Sequence, residues 1–122
     1  MCACRQQPRG SAGTRTGPVL LFAPANNGTL SAVLKNALDW ASRPYWRSSL
    51  RDKPIAVVTA AHVTDTVQEH VHLVVTVAGA APVGPSALFA LKELDLDDAA
   101  VHDTLTRTLV ALEQAARKVV AA

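Results

Sequence analysis

The chain has 122 residues, of which 49% are hydrophobic, and this suits one globular domain whose core buries about two thirds of the surface of the unfolded chain. The formal charge is only +2, and Lys and Arg are scattered along the sequence, which argues against nucleic acid as a partner. The two cysteines, Cys2 and Cys4, have no companions at metal-ligand spacing, so we expect neither a disulfide framework nor a metal site.

No targeting signal is predicted in the first residues. The stretch MCACRQQPRGSAGTRT has no apolar segment of the kind found in secretory signals, and the apolar run VLLFA is too short to cross a bilayer. The sequence therefore predicts a cytoplasmic protein without membrane contact. Residues 1–17 lack hydrophobic periodicity and are predicted to form a disordered or irregular tail ahead of one domain at 18–122.

A strand and a helix are predicted first. Every side chain from Val19 to Ala23 is apolar, as in strands buried on both faces of a parallel sheet. An amphipathic helix follows, with Thr29 or Ser31 as its cap, and it ends before Pro44. Its apolar positions recur at helical spacing: Leu30, Val33, Leu34, Ala37, Leu38 and Ala41.

The rest of the chain continues the alternation of strand and helix. Residues 53–61 predict a second buried strand, with Pro54 tolerated at its start. Residues 65–78 have the β-branched content of a strand but helical spacing, and we interpret them as a helix with Asp65 as its cap. A short edge strand is expected at 81–83.

The final helix is predicted to start at Asp97 and Asp98, and Arg117 and Lys118 near its end match the helix dipole. Its predicted buried positions are Val101, Leu105, Leu109, Leu112, Ala116 and Val119. The order strand, helix, strand, helix, strand, helix predicts an α/β fold with a parallel sheet of three strands. Ligands bind such sheets at the carboxyl ends of the strands.

The segment PANNG, residues 24–28, stands at the carboxyl end of the first predicted strand. It offers backbone N–H groups, two side-chain amides and a glycine that permits close approach, which suit a planar heteroaromatic ring with alternating donors and acceptors. A turn that only connects a strand to a helix has the same composition, and the residues alone leave both interpretations open.

The stretches LLFAPANNGTLSAVLKNALDWASRP and LRDKPIAVVTAA resemble the NADPH-dependent FMN reductase family of flavodoxin-like oxidoreductases over roughly residues 18–120. The resemblance implies a three-layer flavodoxin-like fold with helices on both faces of the sheet, and FMN and NADPH as cofactors. It also implies that Pro24, Asn27 and Gly28 lie against the flavin ring. Ala25 and Asn26 take the places of the family's Glu and Tyr, so the aromatic contact of that Tyr is absent here.

Two further departures concern the rest of the family's site. After Ala61 the chain has HVTDT where the family has a glycine-rich loop, and His62 is the residue there that we expect to reach a flavin carbonyl. The two βα units that precede the matching strand in the family need about sixty residues. Only eighteen residues precede Val19, so we expect this chain to be the C-terminal portion of the domain and to bind FMN weakly by itself.

By resemblance, the function is transfer of hydride from NAD(P)H through FMN to an acceptor such as a quinone or a flavin. The alternative is a truncated, non-catalytic remnant of the fold that acts as an interaction module. A homo-oligomer is expected, with Tyr45 and Trp46 in an interface. Lys35, Asn36, Asp39 and Trp40 of the helix motif are interpreted as structural, with Asp39 and Trp40 either fixing the helix against the loop or forming a subunit contact. No residue is assigned a catalytic role, because no Ser-His-Asp or paired-carboxylate arrangement is visible.

Overall fold

The computed structural model describes residues 17–62, 66–84 and 86–121. These residues form an α/β fold in which a five-stranded sheet has helices on both faces. The predicted tail at 1–16 and the predicted cap Asp65 lie outside the described residues. The strands are β1 (Val19–Asn26), β2 (Thr29–Leu30), β3 (Pro54–Ala61), β4 (Ala81–Pro82) and β5 (Ala87–Ala90), and the helices are α1 (Ala32–Ala41), α2 (Thr66–Val77) and α3 (Ala99–Ala121), with a short 3₁₀ turn at Tyr45–Arg47.

Strand β3 is the centre of the sheet. It pairs in parallel with β1 along one side and with β4 and β5 along the other, over the registers Val19↔Ile55 to Pro24↔Ala60 and Val58↔Ala87 to Ala61↔Ala90. All but one of its side chains are buried, as its continuous apolar run predicted.

The sheet is not purely parallel, which corrects the sequence prediction. Strand β1 runs on past Ala23 to Asn26, and the short strand β2 returns beside it in the antiparallel direction. Leu30 therefore belongs to β2, and α1 begins at Ala32, with the Ser31 hydroxyl accepting the Leu34 N–H at 3.2 Å. Of the two expected caps, Ser31 is the one used.

The two faces of the sheet carry different helices. Alternate residues of β3, including Ile55 and Val57, pack with the buried stripe of α2, which consists of Val67, Val71 and Val75. Helix α3 covers β3 and β5 with Val101, Thr108 and Leu112. The prediction of helices on both faces and the choice of helix for 65–78 are confirmed.

Some predicted details are wrong. Val33 is 82% exposed and Ala37 is exposed as well, so the buried side of α1 consists of Leu38 with Leu34 and Ala41 partly covered. On α3, Leu109 is half exposed and Thr108 is buried in its place. The edge strand β4 is confirmed, but β5 was not predicted, because the Gly- and Pro-rich residues around it are typical of a loop.

Candidate functional site

The end of β1 places its side chains alternately on the two faces of the sheet. Ala25 packs against the core formed with α2, whereas Pro24 and Asn26 are exposed. Among the site residues predicted from the sequence, Ala25 therefore presents only its backbone to a ligand at this edge. Pro24 and Asn26 offer their side chains.

A two-residue turn, Asn27–Gly28, joins β1 to β2. Both residues have left-handed backbones, with φ of 50° at Asn27 and 80° at Gly28, and Asn26 pairs with Thr29 across the turn. Positive φ at both central positions defines the type I′ hairpin turn that the Asn-Gly dipeptide favours. A Cβ at Gly28 would meet nothing within 4 Å, so glycine is required for its backbone angle and the space beside it is open.

The turn leaves hydrogen-bonding groups available. Within the described ranges, the backbone N–H groups of Asn27 and Gly28 donate to no backbone carbonyl, and the side chains of Asn26 and Asn27 have no partner. Amide groups of this kind both donate and accept. The exposed turn thus collects several unused donors and acceptors at the carboxyl edge of the sheet.

Two residues of helix α2 make hydrogen bonds to the hairpin. The Thr66 hydroxyl donates to the Gly28 carbonyl at 3.2 Å, and Thr29 Oγ1 lies 2.8 Å from His70 Nδ1. Sequence reasoning did not assign Thr29, Thr66 or His70 to the site. The Asn-Gly dipeptide between apolar residues was the available signal for the hairpin, but nothing in the sequence indicates a contact between residues 41 positions apart.

His62 follows β3 directly and is exposed. Since Pro24 and Ala60 are in register, His62 and the hairpin lie at the same edge of the sheet. Its side chain has no hydrogen-bond partner in the described part of the chain. Residues 63–65 of the HVTDT loop lie outside the described residues, and the expected effect of the missing glycine there stays a prediction.

Two residues of the helix motif in α1 line a groove and do not contribute to the hairpin. Lys35 Nζ pairs with Asp39 Oδ1 at 2.6 Å, and both line an open groove of about 460 Å³ between α1 and α2. Leu73 and Val77 of α2 line the same groove, near the ends of the helices that lie away from the hairpin. The predicted interface residues Tyr45 and Trp46 are exposed, and so is Trp40.

The hydrogen-bond donors and acceptors of the hairpin suit a flavin ring. The ring system is planar and carries carbonyl and N–H groups along one edge, so it needs donors and acceptors at a surface open enough for a flat molecule. The unused amides and the open space at Gly28 meet both needs. Within the described residues, no group of three or more His, Cys, Asp and Glu side chains is placed to hold a metal ion.

Comparison with known proteins identifies one family. The family model described as NADPH-dependent FMN reductase matches residues 18–93, which include the hairpin and His62. A 2-hydroxy-1,4-benzoquinone reductase from Burkholderia sp is 48% identical over 40 residues, or 33% of this chain and 22% of that protein. A quinone reductase from Pseudomonas putida is 44% identical over 45 residues, or 37% of this chain and 24% of that protein.

The fold has a counterpart among solved structures. FerB, a flavoenzyme NAD(P)H:(acceptor) oxidoreductase from Paracoccus denitrificans, superposes with a TM-score of 0.70 at 24% identity, covering 83% of this chain and 61% of FerB. This likeness confirms the predicted fold class. The matched segments of the two quinone reductases span less than a quarter of their lengths. Across the described ranges, no helix has the length and apolar character needed to span a membrane.

Proposed function

Since the chain belongs to the NADPH-dependent FMN reductase family, we propose that it serves in NAD(P)H-dependent reduction of an acceptor through FMN, with the β1–β2 hairpin as its flavin contact. The family supports use of a flavin and of a nicotinamide nucleotide. The residues assigned to the contact are Pro24, Asn26, Asn27, Gly28 and His62, with Ala25 contributing its backbone. A cytoplasmic location, expected from the sequence, is part of this proposal.

The observation that carries the proposal is the conformation of the Asn27–Gly28 turn. The two central N–H groups of this type I′ turn donate to no backbone carbonyl, and they lie at the edge where parallel sheets bind their ligands. The type I′ turn by itself accounts for Asn27, because Asn-Gly is the dipeptide that such turns favour. The exposed amide of Asn26, which has no partner within the described residues, and the unused N–H groups next to it support a ligand at this turn.

The chain's own residues would bind and orient the flavin. Bound FMN would supply the redox chemistry, accepting hydride from NAD(P)H and passing electrons on. The N–H groups of Asn27 and Gly28 would donate to ring carbonyls, and the flat side chain of Pro24 would lie against the ring. His62 would offer a further hydrogen bond from the neighbouring strand. Such bonds hold the ring in one orientation and shift its electron affinity.

The acceptor that the relatives favour is a quinone, because both matched curated relatives are quinone reductases. Those matches cover 33% and 37% of this chain, so the quinone belongs to the proposal together with the activity. Free flavin is the other acceptor class expected from the sequence. The nucleotide preference, NADH or NADPH, is decided by the experiment below.

A second candidate, the non-catalytic interaction module, is favoured by exposed apolar side chains. Phe22 is 65% exposed on β1, Trp40 is 75% exposed on α1, and Trp46 is 73% exposed in the 3₁₀ turn that follows α1. Exposed aromatic side chains of this size are enriched where proteins associate. These residues also support the homo-oligomer expected from the sequence, which is compatible with either function.

The test of the flavin proposal combines binding and turnover. FMN is titrated with the chain by flavin fluorescence, and NADPH or NADH oxidation is then followed with 1,4-benzoquinone, against the same concentration of free FMN without protein. We expect saturable, weak binding and protein-dependent oxidation of the nucleotide. Absence of binding at millimolar protein, or turnover no faster than with free FMN, would contradict the proposal.

Self-association is measured separately by sedimentation velocity. We expect Trp40→Lys and Trp46→Lys to weaken it, whereas Val120→Lys, at an 82% exposed position on α3, serves as the matched control. A chain that associates through Trp40 and Trp46 but binds no flavin would favour the interaction module. A chain that stays monomeric at high concentration would contradict the predicted oligomer.

A further inference from the structure

The β1–β2 hairpin is too short to be stable by itself. Its ladder contains two residue pairs, Ala25↔Leu30 and Asn26↔Thr29. Two-stranded hairpins of much greater length are only marginally stable in water. The position of the Asn27–Gly28 turn must therefore be set by what the hairpin packs against.

The base and the tip of the hairpin are held by different means. At the base, Leu30 is buried in the core and Ala25 packs against it. At the tip, the contacts are polar, between Thr29 Oγ1 and His70 Nδ1 at 2.8 Å and from the Thr66 hydroxyl to the Gly28 carbonyl at 3.2 Å. Apolar burial fixes where the hairpin starts, while these directional bonds fix how its turn is oriented.

The helical spacing of α2 explains why both polar contacts reach the same turn. Thr66 and His70 are four residues apart and thus lie on one face of the helix, one turn above the other. Their neighbours Val67 and Val71, also four apart, are fully buried against the sheet. The packing of the valines therefore fixes the rotation of α2 that aims Thr66 and His70 at consecutive residues of the hairpin.

We propose that His70 is a positioning residue, which orients the Asn27–Gly28 turn for flavin through its hydrogen bond to Thr29. The hydrogen bond that links the imidazole to the hairpin is the one to the Thr29 hydroxyl, so His70 acts on the turn through Thr29. Whichever of the two atoms donates, the bond is directional and ties the first residue after the turn to a rigid helix. This inference rests on the proposed function for its flavin part but not for its effect on the turn.

The test measures amide hydrogen exchange at Asn26 and Thr29, which flank the turn, in the full chain without flavin. In His70→Leu and in Thr29→Val, we expect exchange at these two amides to become roughly three- to tenfold faster, as loss of one hydrogen bond predicts, while exchange in β3 stays unchanged. The double variant should exchange no faster than either single variant, because both remove the same bond.

Conservative variants separate positioning from general destabilisation. His70→Asn keeps a polar atom near the place of Nδ1, and Thr29→Ser keeps the hydroxyl, so both should restore slow exchange. His72→Leu is the matched control, because His72 lies on the same helix but bonds to Ser86 instead, at 2.8 Å. Unchanged exchange at Asn26 and Thr29 in His70→Leu, or equal acceleration in His72→Leu, would overturn the inference.

A second readout connects the turn to the flavin. The dissociation constant for lumiflavin, the ring without its phosphate-bearing chain, should rise by the same three- to tenfold factor in His70→Leu and recover in His70→Asn. If the unaltered chain binds no lumiflavin, the proposed function fails, and the exchange data still decide whether His70 positions the turn. If exchange changes but the affinity of a binding chain does not, the positioning role for flavin is overturned.

Discussion

Helix α2 holds a left-handed turn near each of its ends, and the two turns are held by different chemistry. At its C-terminal end, Gly79 has φ of 91°, and the N–H groups of Gly79 and Ala80 donate to the carbonyls of Thr76 and Val75 at 2.9 and 3.0 Å, a Schellman motif. The Gly79 carbonyl in turn accepts the Asp52 N–H at 2.8 Å. Every one of these bonds joins backbone to backbone.

At its N-terminal end, α2 contacts the Asn27–Gly28 turn through side chains, those of Thr66 and His70. Bonds between backbone groups do not depend on the side chains of the residues that make them, apart from the glycine that the φ of 91° requires at position 79, so this end belongs to the scaffold of the fold. Contacts made by side chains can be altered without changing the fold, and these two leave the amides of the turn exposed. The comparison indicates that one end of α2 stabilises the fold and that the other orients the turn proposed to contact flavin.

The largest effect on stability is expected at the scaffold end. Gly79→Ala places a Cβ on a residue with φ of 91°, and a left-handed residue other than glycine costs roughly 1–2 kcal/mol. Chemical denaturation should show this loss in the free energy of unfolding, while the dissociation constant for lumiflavin stays the same. Gly84→Ala is the control, because its Cβ would meet no atom within 4 Å and its φ is not in the positive range.

A smaller loss of stability is expected at the binding end. Gly28→Ala imposes the same kind of backbone cost at φ of 80°, about 1 kcal/mol, because a hairpin tip can rearrange more freely than a helix end. Unlike Gly79→Ala, it should also weaken lumiflavin binding, since the new methyl group enters the open space beside the turn. If both glycine variants weakened binding equally, the distinction between the two ends would be wrong.

The smallest effect on stability, and the most selective effect on binding, is expected from Asn27→Gly. Glycine accepts the φ of 50° at this position without strain, so the free energy of unfolding should change by less than about 0.5 kcal/mol. Loss of one side-chain hydrogen bond should raise the dissociation constant for lumiflavin about two- to tenfold. Isothermal titration and thermal unfolding on the same samples measure both quantities, and unchanged affinity would remove the Asn27 side chain, though not its backbone N–H, from the proposed contact.

The central elements of the fold were predictable because their patterns are local. The apolar run of β3 indicates a buried strand, and the valine spacing of α2 favours a helix over the strand that its β-branched content also suggests. Periodicity gives the direction of a buried face but not its width, and for this reason Val33 and Leu109 were wrongly expected to be buried. The antiparallel β2 was missed because Asn-Gly was interpreted as a link from strand to helix.

The order of the strands and the family resemblance predicted where the candidate site would lie. They did not predict the hydrogen bonds that hold the hairpin in position. The hydrogen bond between Thr29 and His70 depends on how α2 is rotated against the sheet, which only the packed structure determines. Likewise, Ala25 takes the place of the family's Glu, yet strand alternation turns its side chain to the core. Local patterns predict elements, whereas contacts between elements require the assembled core.

The most direct test of the account compares the two ends of α2 in one experiment. Amide signals of the ¹⁵N-labelled chain are followed by nuclear magnetic resonance while lumiflavin is added. We predict saturable shifts at Asn27 and Gly28, with a smaller shift at His62, and no shift at Asp52 or Gly79. Shifts at Asp52 and Gly79 in place of the hairpin, or a spectrum unchanged at millimolar lumiflavin, would contradict the assignment of the β1–β2 hairpin as the flavin contact.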